Sequence, residues 1–431
     1  MVHVTALFQY RAIDTKLELK VELKYERVVD AAMRRHPFSP IPVLASLALS
    51  TVAACGDPGP APPPDAPLGF DRRALLAHVA DHFLIPTYDR FVADTAALTT
   101  AIEAHCTALA GGGDTAASLA GARVAWTSAI DTWELAEGIL VGPAARIDNT
   151  LRNRIYAWPF VAPCTIDQDT VVRWTTPASY DVTTRFDNAR SLAAIEYLLY
   201  NTAETSACAL PPNGWEALGA DRPKARCALA ASIAGDVAAQ ARALADAWAP
   251  SGGDYRTQLV QAGTSASSIE SEREAVNMVS DALFYVDRMV WDMKVREPAG
   301  IKPNACGAIE TACLREVELR YANHGTAAIR ANLQALRTGF TGTGPVDGPG
   351  FDDYMIAVGA EAVATRLTAE IDAAIAAAAA LPDDYIAALS ENRTEVVALS
   401  EALHTIIIDF KTQFLTVLGL DIPAEIAGDN D

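Results

Sequence analysis

One pattern recurs from residue 71 to 418 and constrains the fold more than any other feature. Apolar residues fall at three- and four-residue spacing in alanine-rich stretches such as "EIDAAIAAAAAL" (370–381). Alternating β-branched segments are scarce, and alanine is the strongest helix former, so the chain reads as all-α. Helical patterns cover about 71–110, 115–140, 186–202, 222–249, 268–294, 314–338, 351–379 and 391–418, which makes about eight long helices. "SGGDY" (251–255) and "TGFTGTGPVDGPG" (338–350) are breaks. The first divides the helices four and four, so two helical bundles are expected at 71–250 and 251–431. Between the second and third helices lies a long connection (141–183) rich in proline and aromatic residues. A connection of that length is more often functional or packed than idle.

The N-terminus carries a different message. "MRRHPFSPIPVLASLALSTVAAC" runs from a basic start at Met33 through an apolar stretch to Cys55, the layout of a secretory signal. Val52-Ala53-Ala54-Cys55 resembles a bacterial lipobox, in which the cysteine is lipidated and residues 33–54 are removed. The apolar run is too short for a good membrane span. Residues 1–32 have no place ahead of such a signal and read as a mis-called extension. After Cys55 the Pro-rich segment 55–70 cannot be helical and reads as a semi-rigid tether. The expected location is the cell envelope, lipid-anchored at Cys55. Gly56, with no aspartate directly after the cysteine, favours the periplasmic face of the outer membrane if the cell is Gram-negative.

Exported cysteines pair. Besides Cys55 there are six: Cys106, Cys164, Cys208, Cys227, Cys306 and Cys313. Sequence proximity suggests Cys208–Cys227 and Cys306–Cys313, leaving Cys106–Cys164. A zinc site is the rival reading, but there is no CxxC pair. A formal net charge of −20 argues against nucleic acid as a partner.

HExxH, GxSxG and GxGxxG are all missing. The Gly-rich stretch 339–350 lacks the GxxxxGK[ST] pattern of a phosphate loop and reads as a surface turn. His78 and His82 stand four apart on one helix face, a spacing that can hold a divalent metal once further ligands join; the plainer alternative is two surface histidines. Pro86 should kink that helix one turn later. Trp126, Trp133 and Leu140 form a stripe that reads as core. Trp158-Pro159 cannot continue a helix and reads as a loop plug.

The stretch "ARSLAAIEYLLYN" (189–201) sets one acid, Glu196, among apolar residues of a helix. A lone buried carboxylate must be protonated or find a partner. Arg190, Arg146, Arg152, Arg154 and Lys294 are the candidate partners. A cation or ligand site, or a catalytic base, are the other readings of Glu196.

The order of these landmarks resembles imelysin-like proteins. It runs from Ala125-Trp126 through Gly142-Pro143 and Trp158-Pro159 to Arg190–Leu199. "WDMKVREP" (291–298), "IRANLQAL" (329–336) and "LGLDIPAEIAGDND" (418–431) follow. The resemblance implies an exported, all-helical, two-domain protein, often a lipoprotein. The family was first classed as metallopeptidases on a Gly-x-His-x-x-Glu motif, and many members are associated with iron uptake. Carried over, the motif glycine is Ser191, the histidine is Ala193 and the acid is Glu196. Alanine offers no donor atom, so the His–Glu metal pair is broken here. Arg190, Leu192 and Ile195 fit a branch reading Arg-Gly-Leu-Pro-Ala-Leu-Glu. The expected function is thus binding of a small ligand or of a divalent or iron cation in the envelope, with a partner in iron uptake. A metallopeptidase is the alternative, and a structural or interaction module the second.

Overall fold

The computed structural model describes residues 69–146 and 149–423. The signal-like segment 33–54, Cys55, most of the tether and the end of the last landmark lie outside these residues.

The alanine-rich patterns do become helices, and local chemistry sets their starts. Asp71 accepts the Ala74 N–H at 3.0 Å and opens α1 (Arg72–His78). A wider π-helical turn (Val79–Leu84) then leads into α2 (Ile85–Thr107). Pro86 sits in the first turn of α2, where its missing N–H costs little, so the chain runs through it by widening the turn before it. Asp114 caps α3 (Thr115–Glu137) by accepting from the Ala116 and Ala117 amides. Next come α4 (Pro163–Thr175), α5 (Leu192–Tyr200) and α6 (Arg222–Trp248). The second half holds α7 (Glu272–Leu283), a π-helical segment (Val286–Arg296), α8 (Gly325–Thr341), α9 (Glu361–Ala380) and α10 (Arg393–Asp409). Among the described residues there is no strand, and the fold is all-α as expected.

Three of the expected helices are shorter than their patterns. The 186–202 pattern is helical from Leu192, and 351–379 is split around Gly359, whose φ of +85° no other residue adopts cheaply. The 314–338 pattern becomes helical only at Gly325, because Leu319 and Asn323 take left-handed backbone angles. Conversely, the 141–183 connection contains α4, with Pro163 supplying its first helical residue.

Packing runs α2 against α3 and α6, with α5 across α3 and α6. In the second half α9 lies between α8 and α10, and the π-helical segment packs on α10. The seam is α3 against α8, where glycines permit close approach. A Cβ on Gly138 would stand 2.7 Å from Ala335 Cβ, and one on Gly339 would stand 2.1 Å from the end of Ile139. One continuous buried core draws on helices from both sides of the 251–255 turn. Among the described residues no single helix is long and apolar enough to cross a membrane.

The disulfides correct two of the three expected pairs. Cys106 bonds Cys227, Cys164 bonds Cys208, and Cys306 bonds Cys313 as expected. Proximity in sequence failed because α2 packs on α6, which brings Cys106 and Cys227 together across 121 residues. The unforeseen α4 carries Cys164 to the loop that follows α5.

Candidate functional site

α5 is buried from Leu192 to Leu199, and every neighbour of the motif acid is fixed. Ser191 precedes the helix in extended backbone, and its hydroxyl accepts the Ala157 N–H at 3.2 Å. The Leu192 carbonyl accepts Trp126 Nε1 at 2.9 Å, so the Trp126–Trp133 stripe is core, as its spacing suggests. Arg190 is buried and turned away from Glu196. Its guanidinium donates to Asp187 at 2.9 and 3.1 Å and to Asp236 of α6 at 3.2 Å. Tyr197, next to the motif acid, donates to Asp167 of α4 at 3.0 Å.

Glu196 itself has a partner that the sequence did not suggest. Its Oε1 accepts the backbone N–H groups of Tyr321 at 2.8 Å and Ala322 at 3.0 Å. These amides lie just ahead of α8, on the other side of the chain's midpoint. Burial pushes the carboxyl up to about 7, against the pull of those two hydrogen bonds. The segment 318–324 is gripped at two further points. Tyr156 donates to Glu318 Oε1 at 2.8 Å, and His324 Nε2 meets Asp131 of α3 at 2.6 Å.

Arg152, Arg154 and Lys294, also proposed for Glu196, serve elsewhere. Arg152 pairs with Glu137 and donates to the Trp158 carbonyl at 2.6 Å. Arg154 lies 3.6 Å from Asp187. Lys294, on the π-helical segment, is the centre of a buried charge cluster. Its ammonium sits 2.7 Å from Glu134 Oε2, 2.8 Å from Glu318 Oε2 and 2.8 Å from Asn332 Oδ1. Asn332 of α8 also donates to the Glu134 carbonyl at 2.7 Å. Trp133 donates to Glu137 at 3.0 Å, and Trp158 and Tyr285 flank the ammonium with ring centres 5.7 and 5.6 Å away.

The cluster's ionisation follows from its composition. Burial works against the Lys294 charge, but Glu134 and Glu318 hold its pKa well above the ordinary lysine value. Burial and the Glu134 charge together push Glu318 up to about 8, and burial also raises Glu134. With Arg152 and Glu137, three carboxylates balance two cations, and the proton that Glu318 retains near neutrality evens the charge. Lys294 donates to Glu134 and Asn332 and stands at ion-pair distance from Glu318, which makes it an internal cation in an oxygen cradle. Glu134, Glu137 and Glu318 were not recognised from sequence. "TWELAEG" offered the same signal as the Glu196 helix, acids amid apolar helical residues, but the tryptophan stripe masked it.

The remaining predicted residues lie apart. His78 and His82 share a helix face with ring centres 5.1 Å apart. His78 is buried, and its Nε2 is 2.8 Å from the Gly342 carbonyl, which requires that nitrogen to carry the proton. Its other nitrogen faces Gly348. Asp81 is bound by Arg256 at 2.6 and 2.8 Å. Among the described residues no group of three or more His, Cys, Asp or Glu side chains is placed to hold a metal ion. The motif position does not fit the metal that the family's His–Glu pattern implies. Ala193 has no donor, and one of the two Glu196 oxygens, Oε1, is committed to two amides.

These features define a class: an all-helical protein whose motif acid ties the two halves of the chain together beside a buried carboxylate–lysine cluster. The chain belongs to the imelysin family (peptidase M75), whose pattern it matches over residues 84–408. Its fold is similar to that of an imelysin-like protein from Psychrobacter arcticum 273-4, at 17% identity and a TM-score of 0.59, covering 81% of this chain and 96% of that one. It is also similar to a Parabacteroides distasonis ATCC 8503 structure named "putative iron-regulated protein A precursor", at 18% identity and a TM-score of 0.62, covering 80% and 94%. No match was found among curated proteins.

Proposed function

We propose that this imelysin-family protein is a lipid-anchored component of the cell envelope that recognises a ligand in connection with iron supply and does not cleave peptides. The observation that carries this reading is the state of the motif. A metallopeptidase needs a metal-bound water and a free base. Here the motif histidine is Ala193, and Glu196 accepts two backbone amides through Oε1 that it cannot release without loosening the approach to α8. The iron link is supported by the name of the Parabacteroides neighbour, and the envelope location by the lipobox-like Val52–Cys55.

The test uses the full-length protein purified from its native envelope. Casein is left intact, expression rises under iron limitation, and labelled palmitate is incorporated by the native chain but not by Cys55→Ser. Chelator-sensitive casein cleavage that Glu196→Gln abolishes would overturn the reading.

A further inference from the structure

Every exposed aromatic side chain among the described residues falls between residues 160 and 186: Phe160, Trp174 and Phe186. Phe160, Phe186 and Leu210, at 69%, 74% and 84%, are also the most exposed large apolar side chains there. Two links gather these three around the first turn of α4. The Ala162 N–H donates to the Asn188 carbonyl at 3.0 Å, which joins the loop of Phe160 to the turn of Phe186. The Cys164–Cys208 disulfide, with Cα atoms 4.5 Å apart, ties the loop of Leu210 to the same turn.

The backbone behind them is fixed, so the tips stay outward. The Phe160 amide donates to the Ala157 carbonyl at 2.8 Å, and the Ala189 amide to the Phe186 carbonyl at 2.9 Å. The Ala207 amide donates to buried Asp167 of α4 at 2.7 Å. Three large apolar side chains held in water have a cost, which a partner that covers them recovers. Charge narrows the choice of partner. The chain carries −20 overall, yet residues 141–214 hold six basic and seven acidic residues. Asp167, Asp169 and Glu196 among those acids are buried, so this face escapes the negative charge of the rest. Arg185, directly before Phe186, and Arg154, in the helical turn beside it, keep 32% and 41% of their side chains exposed.

We propose that the first turn of α4 and its neighbouring loops form a membrane-docking face, which seats Phe160, Phe186 and Leu210 at the headgroup–acyl boundary of the bilayer that holds the Cys55 anchor. Aromatic tips flanked by arginines suit that boundary, where rings sit among headgroups and guanidiniums reach phosphates. A bilayer accepts tips that protrude singly from separate loops, whereas a protein partner needs a surface matched to all three. Lipid is also within reach. Fifteen residues separate Cys55 from Phe70, which spans about 45 Å when extended. Phe70 itself is fixed by stacking on Tyr354, with ring centres 4.6 Å apart. The inference rests on the lipid anchoring proposed above and adds which face of the folded body meets the lipid.

The test places the native lipidated protein on mixed phosphatidylethanolamine and phosphatidylglycerol vesicles, with plain or brominated acyl chains. The emission added by Phe186→Trp shifts to the blue on plain vesicles and is quenched on brominated ones. Ile356→Trp, at an exposed position in the second half of the chain, shows neither change. Adding Phe160→Ser/Leu210→Ser to Phe186→Trp removes the quenching, while the melting curve, palmitate uptake and flotation with vesicles stay native. A palmitate-labelled chain that floats, but whose Phe186→Trp emission ignores brominated lipid, overturns the docking face and leaves the anchor standing. A chain that takes up no palmitate and does not float overturns both. A blue shift that appears without lipid and follows a concentration-dependent dimer gives this face to a second copy and overturns the membrane assignment.

Discussion

Glu196 keeps a carboxylate in the interior by giving one oxygen to two amides, and the arrangement has a sign that pH can read. Its folded pKa of about 7 stands above the ordinary value of 4.5, so the native state holds a proton that the unfolded chain has already released. The contribution to stability is therefore complete below about pH 4.5 and is lost as pH rises through about 7. Glu196→Gln presents the same acceptor without a charge, so it should gain on the native protein between pH 5 and pH 8. Glu196→Ala should lose about 1–3 kcal/mol for each amide left unpaired, at either pH. Urea unfolding midpoints of the three proteins at the two pH values check this; a native-to-Gln difference independent of pH would refute it. At this scale the sequence was half legible. The odd acid in an apolar helix was plain, but its partners are backbone N–H groups, which leave no letter in the sequence. Arginine and lysine drew attention because they do, and Arg152, Arg154, Arg190 and Lys294 turned out to be spent on other acids.

Among the elements, periodicity was a good guide to long helices and a poor one to their ends and neighbours. Asp71, Asp114 and Ser271 mark starts that capping explains. The pattern from 314 to 324 looked helical because apolar spacing does not record that Leu319 and Asn323 adopt left-handed angles. The disulfides failed for a related reason, since pairing follows helix packing rather than distance along the chain. The observed pairing has an energetic consequence. In the chain-entropy view a bond closing 121 residues stabilises by about 5 kcal/mol, and one closing 7 residues by about 2 kcal/mol. Cys106→Ala/Cys227→Ala should therefore lower the unfolding free energy more than Cys306→Ala/Cys313→Ala. Non-reducing peptide mapping would show the Cys106–Cys227 and Cys164–Cys208 peptides, and urea unfolding the order of the losses. Equal losses would show that the long bond does not restrain the unfolded chain as its span implies.

For the molecule as a whole, the meeting of α3, the π-helical segment and α8 at Lys294 is the polar centre of an otherwise apolar junction. Glu134 comes from α3, Lys294 from the π-helical segment, Glu318 from the approach to α8, and Asn332 from α8 itself. A buried ion cluster need not stabilise relative to an apolar one, but breaking it from one side leaves charge without compensation. Lys294→Met strands Glu134 and Glu318 and should cost about 3–5 kcal/mol. Because both acids already hold protons more tightly than usual, with Glu318 at about 8, the deficit should be larger at pH 9 than at pH 6. The triple variant Lys294→Met/Glu134→Gln/Glu318→Gln removes the stranded charges and should recover much of the loss, with little dependence on pH. Denaturant unfolding followed by circular dichroism at both pH values distinguishes these outcomes. A single-variant deficit that is the same at pH 6 and pH 9 would mean that Lys294 contributes packing at the junction rather than charge.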